Sequence, residues 1–189
     1  MEFAHVLENS TTWRKISFGL LCEIISTENQ SYTKYSGDEK TLYFENYAIE
    51  SDDNRVIYFG EEFNITLRIC FKNCFFVTEK IIFISGMVCA NYVTFENCYF
   101  PNGIYIDKGN FQKELSFRRI HTKDFHLTGG SFGKISFSGD EVSKTWITGS
   151  KFVELNISYW NSGNTPQELT IINNKNELGN INVRGEHIS

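Results

Sequence analysis

The segment Phe95-Glu96-Asn97-Cys98-Tyr99-Phe100 is the clearest indication of the fold, because the chain carries the same pattern in two earlier places. The related copies begin at Phe44 and at Phe71, and each begins two residues after another apolar side chain. A triplet of two apolar side chains separated by one residue is typical of a short strand that turns one face inward. Because the triplet recurs together with the asparagine that follows it, the sequence predicts a repeat architecture.

The repeat extends over most of the chain as two interleaved series of apolar or aromatic residues. The first series recurs every 20 to 27 residues at Phe18, Phe44, Phe71, Phe95, Phe117, Phe137, Ile157 and Val183. The second series lies about halfway between these positions, at Tyr35, Phe59, Ile84, Ile106, Leu127, Ile147 and Ile171. Two interleaved series with a common step indicate a coil whose turns have two corresponding halves.

Between residues 127 and 157 an apolar residue falls at every fifth position. No α-helix has a sustained period of five, whereas a parallel coil explains it, because strands of successive turns pair about 4.8 Å apart and equivalent positions stack. We therefore predict an all-β protein, a right-handed parallel β-helix of about seven coils. The right hand follows from the general handedness of crossovers between parallel strands.

The β-helix is expected over residues 15–189, with a loop insertion at 158–167. Residues 1–14 are expected to form a short helical cap over the edge strands of the first coil. For residues 16–20 a strand is preferred, because Lys-Ile-Ser-Phe occurs there and again at 134–137. The alternative is a longer helix that continues through Leu20 and Ile24.

Two outward positions of the coil are predicted to form ladders. The residue after each first-series marker alternates in charge, at Glu45, Lys72, Glu96 and Arg118. Opposite charges on neighbouring coils would support the register by about 0.2–1 kcal/mol for each pair. The next position holds Asn46, Asn73 and Asn97. Asparagine tolerates left-handed turn conformations, and stacked amides can hydrogen bond from coil to coil.

Composition excludes several classes of protein. The net charge of −5 lacks the basic footprint of a nucleic-acid-binding protein, so nucleic acid is not an expected partner. The five cysteines lack metal-ligand spacing, so neither a metal nor a cofactor is expected. Cys74 and Cys98 should stack on adjacent coils as reduced core thiols. No apolar run approaches the length of a membrane span and no signal peptide is evident, which predicts a cytoplasmic protein without a membrane partner.

The five-residue period with Phe or Leu at its centre resembles that of pentapeptide-repeat proteins, most closely over residues 125–157. The resemblance implies a right-handed, four-sided β-helix. Some members of that family regulate type II topoisomerases by imitating DNA, and many form dimers through one end of the coil. A regulator of a DNA-processing enzyme is therefore one alternative function. The alternating charges of the outward ladder argue against a continuous acidic stripe on that face.

The residues favour a non-enzymatic interaction or structural module that forms a homodimer through its C-terminal coil, with Ile188 at the interface. Tyr159 and Trp160 are the predicted contact residues of the loop insertion, because aromatic side chains are enriched at binding hot spots. A carbohydrate-active enzyme is the second alternative, and it requires two carboxylates in one groove. Neither the adjacent acidic pairs at 61–62 and 140–141 nor the histidines at 121 and 126 are expected to act together. No catalytic residue is therefore predicted.

Overall fold

The computed structural model of the chain describes residues 13–36, 39–51, 57–61, 63–78, 82–139, 142–159, 168–172, 174–176 and 181–185. The helical elements are the α-helix α1 Phe18–Ser26 and a 3₁₀ turn at Gln30–Tyr32. The first strands are β1 Arg14–Ser17, β2 Thr33–Ser36, β3 Glu39–Glu45, β4 Tyr47–Glu50, β5 Tyr58–Phe59, β6 Asn64–Ile65, β7 Arg68–Lys72, β8 Phe75–Val77, β9 Ile82–Ser85, β10 Val88–Cys89, β11 Val93–Glu96 and β12 Tyr99–Phe100. The others are β13 Ile104–Asp107, β14 Asn110–Thr122, β15 Asp124–Thr128, β16 Ser131–Gly139, β17 Lys144–Thr148, β18 Lys151–Tyr159, β19 Glu168–Ile172, β20 Lys175–Asn176 and β21 Ile181–Gly185.

The strands form a parallel β-solenoid, which confirms the predicted fold class. Four ladders run along it. Face 1 contains β3, β7, β11, β14, β16, β18 and β21; face 2 contains β1, β4, β8, β12 and β14. Face 3 contains β5, β9, β13, β15, β17 and β19; face 4 contains β6, β10 and the first residues of β14, β16 and β18, followed by β20.

Aromatic side chains fill the interior. The rings of Phe44, Phe71, Phe95 and Phe117 stack from coil to coil, with centroids 5.1, 5.0 and 5.0 Å apart. Each of these side chains is almost completely buried. Such pairs contribute roughly 0.5–1.5 kcal/mol each beyond the burial of their area, so the phenylalanine column both fills the core and fixes the register.

The N-terminal part differs from the prediction. A strand at 16–20 is wrong beyond Ser17, because α1 begins at Phe18. The Ser17 hydroxyl accepts a hydrogen bond from the Leu20 amide at 3.2 Å and caps the helix. The repeat of Lys-Ile-Ser-Phe favoured a strand at the position of this helix cap. The helical cap expected at 1–14 lies outside the described residues, except for Trp13 and Arg14, which are not helical.

The number of coils is also corrected. The solenoid has about five turns, not seven. Phe18 belongs to α1, and its ring contacts that of Phe59 edge-on at 5.0 Å. Tyr35 lies on β2, which pairs antiparallel with β3 and leaves this side chain 66% exposed. The first member of each apolar series is therefore not part of the coil.

Candidate interaction site at the C-terminal coil

The two ends of the solenoid differ in how the interior is covered. At the N-terminal end α1 lies over the first coils and buries Leu21, Ile24 and Ile25. These residues form one helical face, since they recur at spacings of three and four. The helix therefore closes this end of the apolar core.

At the C-terminal end the inward columns reach the surface. On face 1, Ile181 pairs with Leu155 and Val183 pairs with Ile157. Leu155 and Ile157 are at most 1% exposed, whereas Ile181 is 47% and Val183 is 36% exposed. The same inward positions thus pass from buried to half-exposed between β18 and β21.

Face 3 ends in the same way at β19. The inward residues Leu169 and Ile171 are only partly buried, although Ile147 on the preceding coil is completely buried. Beside them on the same strand, Ile172 is 48% exposed. In the described part of the chain β19 and β21 are the last strands of their ladders. Each therefore offers one edge of backbone donors and acceptors for pairing with another strand.

The described outward side chains at this end include an ion pair and an amide hydrogen bond to the previous coil. Glu168 on β19 forms an ion pair with Lys144, with Oε2 and Nζ 3.2 Å apart. On β21 the side-chain amide of Asn182 donates to Asn156 Oδ1 at 2.9 Å, and Arg184 occupies the next outward position. The outward side chains are thus engaged with the previous coil or directed away from the inward columns.

One of the predicted contact residues lies next to this end. Tyr159 is the last residue of β18 and pairs with Gly185 of β21. Trp160 and Ile188 lie outside the described residues. The sequence did not indicate that Ile181 and Val183 are exposed. Their signal is the inward position of the last described member of each column on face 1.

The asparagine positions form a hydrogen-bonded column. Asn73 donates to Asn46 at 3.1 Å, and Asn97 donates to Asn73 at 2.8 Å. All three backbones are left-handed, with φ of 60°, 51° and 50°. Arg119 continues the turn with φ of 51°, and its amide donates to the Ser138 hydroxyl at 2.9 Å.

The charged column is paired at only one of its steps. Lys72 Nζ lies 3.2 Å from Glu45 Oε1, and this hydrogen bond holds the pKa of the Glu45 carboxyl below its ordinary value. Arg118 instead donates through Nε to the Ser116 hydroxyl at 3.1 Å. Both groups of the ion pair are about one-third exposed, so it contributes little to stability.

The buried cysteines cap the turns of the coil. The Cys74 thiol donates to the carbonyls of Phe44 and Lys72, each at 3.4 Å. The Ser150 hydroxyl makes the equivalent pair of bonds to Gly129 and Thr148, at 2.9 and 3.2 Å. Cys98 repeats the arrangement one coil beyond Cys74, and these two thiols form no disulfide. These thiols therefore act as small hydrogen-bond donors in the core.

The histidines belong to aromatic ladders on separate faces. His121 on face 2 stacks on Tyr99 with ring centroids 4.5 Å apart. His126 on face 3 lies between Tyr105 and Trp146, at 5.8 and 6.1 Å. Because the rings face one another, they turn their edges to solvent and stabilise the register instead of offering a flat stacking surface.

The described residues bring no acid–base pair together that would support hydrolysis. Glu61 is exposed, and Glu62, Asp140 and Glu141 lie outside the described part of the chain. Within that part, no cluster of three or more His, Cys, Asp or Glu side chains could hold a metal ion.

Comparisons with protein-family models, with curated proteins and with solved structures give no match to this chain. The five-residue period therefore resembles that of pentapeptide-repeat proteins in pattern, and the chain is assigned to the β-solenoid fold without a family. None of the helices in the described residues has the length and apolar character needed to cross a membrane.

Proposed function

We propose that the protein is a non-enzymatic interaction module that self-associates through the C-terminal coil of its solenoid. The observation that carries this proposal is the difference between the two ends. Helix α1 covers the interior at the N-terminal end, whereas Ile181 and Val183 are 47% and 36% exposed at the other end. Burying an exposed aliphatic side chain completely is worth about 1.5–3 kcal/mol, so covering this end is favourable.

A second copy of the chain fits this end because the surface is self-complementary. A two-fold axis through the coil end would pair β21 with its own counterpart antiparallel, and β19 likewise. Centred on Val183, that pairing sets Arg184 opposite Asn182, so no like charges meet. Since α1 covers the opposite end, head-to-tail stacking is disfavoured and the assembly closes as a dimer.

Solution mass at several protein concentrations tests the proposal. The wild-type protein should be a dimer, and Val183→Lys should weaken association at least about 100-fold, because two buried ammonium groups would face each other across the axis. Ile188→Lys tests the predicted contact residue in the same way. Leu20→Lys is the matched control, since Leu20 is an apolar residue, 46% exposed, on the helix at the other end.

A wild-type protein that is monomeric at every concentration contradicts the proposal. So does a dimer that Val183→Lys and Leu20→Lys affect equally, because the C-terminal coil would then have no special role. Circular dichroism of each variant separates loss of association from loss of folding.

A further inference from the structure

A cleft of about 180 Å³ lies where the C-terminal end of α1 meets the segment between β5 and β7. Buried apolar side chains from Ile25, Leu42 and Phe63 form its floor, and Glu28 and Thr66 lie at its polar rim. Its volume is comparable to that of a cavity of about 150 Å³ that admits one benzene molecule. A ligand with a short apolar stem and a polar head would match both parts of the lining.

The rim carries a carboxylate that is held in place but not saturated. Glu28 Oε2 accepts a hydrogen bond from Lys40 Nζ at 3.1 Å, and Oε1 accepts one from the Thr66 hydroxyl at 3.3 Å. Two carboxylate oxygens offer about four acceptor positions, so each oxygen retains one. Lys40 already forms an ion pair with this carboxylate through Oε2, so a further cation would bind at Oε1, which is bonded only to a neutral hydroxyl.

The helix adds negative potential at the same place. α1 ends at Ser26, beside the cleft, and its last turn contains no basic residue. The peptide dipoles place a partial negative charge at a helix C-terminus, and Glu28 stands two residues beyond it. The negative potential of the helix end thus adds to that of the Glu28 carboxylate, whose charge Lys40 partly balances, and together they favour a positively charged ligand.

The backbone of Glu28 is strained, with φ of 50°. Glycine or asparagine is usual where a helix ends in this left-handed conformation. The other non-glycine residues of the described chain with positive φ all lie in turns of the coil, at Asn46, Asn73, Asn97, Lys108 and Arg119. Both the backbone and the helix dipole disfavour glutamate at this position, and strained residues of this kind concentrate at functional sites.

We propose that this cleft binds an ammonium or guanidinium group on a short alkyl stem, with Glu28 as the anionic anchor. Ile25 and Phe63 would contact the stem, and Thr66 positions the carboxylate. A free amine and a lysine or arginine side chain of a partner protein present the same chemistry. The cleft lies beside α1, away from β21, so the site does not depend on self-association.

Binding of n-butylammonium and of butylguanidinium, followed through the backbone amide shifts of Asn64 and Thr66, tests the site. The full-length protein should show saturable shifts with an affinity in the millimolar range, whereas the neutral probe n-butanol should show none. Glu28→Gln removes the charge and keeps the shape, and it should weaken binding at least about tenfold. Thr66→Val should weaken it less. Glu39→Gln is the matched control, because Glu39 is paired with Arg68 at 2.8 Å and does not line the cleft.

Three results would overturn the proposal. They are the absence of saturable shifts in the folded wild-type protein, equal binding of butylammonium and butanol, and unchanged binding in a folded Glu28→Gln variant. Nα-acetyl-lysine amide and Nα-acetyl-arginine amide identify the source of the ligand. Tighter binding of these than of the alkyl probes indicates a partner side chain, and weaker binding indicates a free amine.

Discussion

Thr145 offers a sensitive test of the core. It lies on β17, it is 1% exposed, and its neighbours in the inward column are Phe125 and Leu169. Among the described residues, its hydroxyl is the buried side-chain polar atom without a hydrogen-bond partner. The protein therefore carries the desolvation cost of this group without compensation.

The expected gain on removing the hydroxyl follows from that cost. A buried hydroxyl without a partner costs about 1–3 kcal/mol, and valine has nearly the same shape as threonine. Thr145→Val should therefore raise the free energy of unfolding by about 1–2 kcal/mol. For a domain of this size, about 2–4 °C accompanies each kcal/mol, so Tm should rise by about 2–8 °C.

Thr122→Val is the matched control for the assay, which is thermal and urea unfolding followed by circular dichroism. Thr122 is also completely buried, but its hydroxyl donates to the Asp124 carbonyl at 3.2 Å. The same substitution should here lower stability by about 1 kcal/mol, because the hydrogen bond is lost. If Thr145→Val also lowers stability, the Thr145 hydroxyl has a partner and the reasoning is refuted.

Three further predictions concern the ladders and the thiols. Asn73→Ala should cost at least about 1 kcal/mol more than Asn73→Gly, since only alanine is strained at φ of 51°; equal urea midpoints would count against this. Burial raises the pKa of the Cys70 thiol to about 11, so iodoacetamide at pH 8 should alkylate Cys70 far more slowly in the native than in the unfolded protein, as peptide mass mapping would show. Because Lys72 lowers the pKa of Glu45, their ion pair stabilises the protein at neutral pH, and this contribution is lost as the pH falls below about 4. The Lys72→Met variant should therefore lose less stability on acidification than the wild-type protein. An unchanged dependence of stability on pH would be inconsistent with the pair.

The sequence predicts the coil where its period is regular. From Phe44 onward the inward positions of face 1 recur with the same apolar and aromatic types, and burial selects those types at every turn. The asparagine positions are visible for the same reason, since a left-handed backbone restricts the choice of residue at a fixed place in each coil.

The N-terminal part is not predictable from the period, because local and repeat signals conflict there. The pattern of Ile16 and Phe18 matches the coil, yet the Ser17 cap and the apolar face of Leu21, Ile24 and Ile25 favour a helix. The helix forms because these side chains cover the open end of the core. This is a tertiary effect, which the period of the repeat does not predict.

The candidate sites are less visible in the sequence than the fold. Ile181 and Val183 look like ordinary members of inward columns, and the sequence does not show that they are half-exposed. The cleft beside α1 combines the end of a helix with residues 63–67, which lie almost forty positions away. The cleft follows no repeat, and the repeat places Ile181 and Val183 without indicating that they are exposed.

Small-angle X-ray scattering of the wild-type protein and of the Val183→Lys variant tests whether two solenoids associate end to end, as proposed. Each coil adds about 4.8 Å along the axis, so association through the coil ends should nearly double the longest dimension while the cross-section stays constant. A dimer whose cross-section grows while its length stays that of the monomer would show side-by-side association and would contradict association through the C-terminal coil.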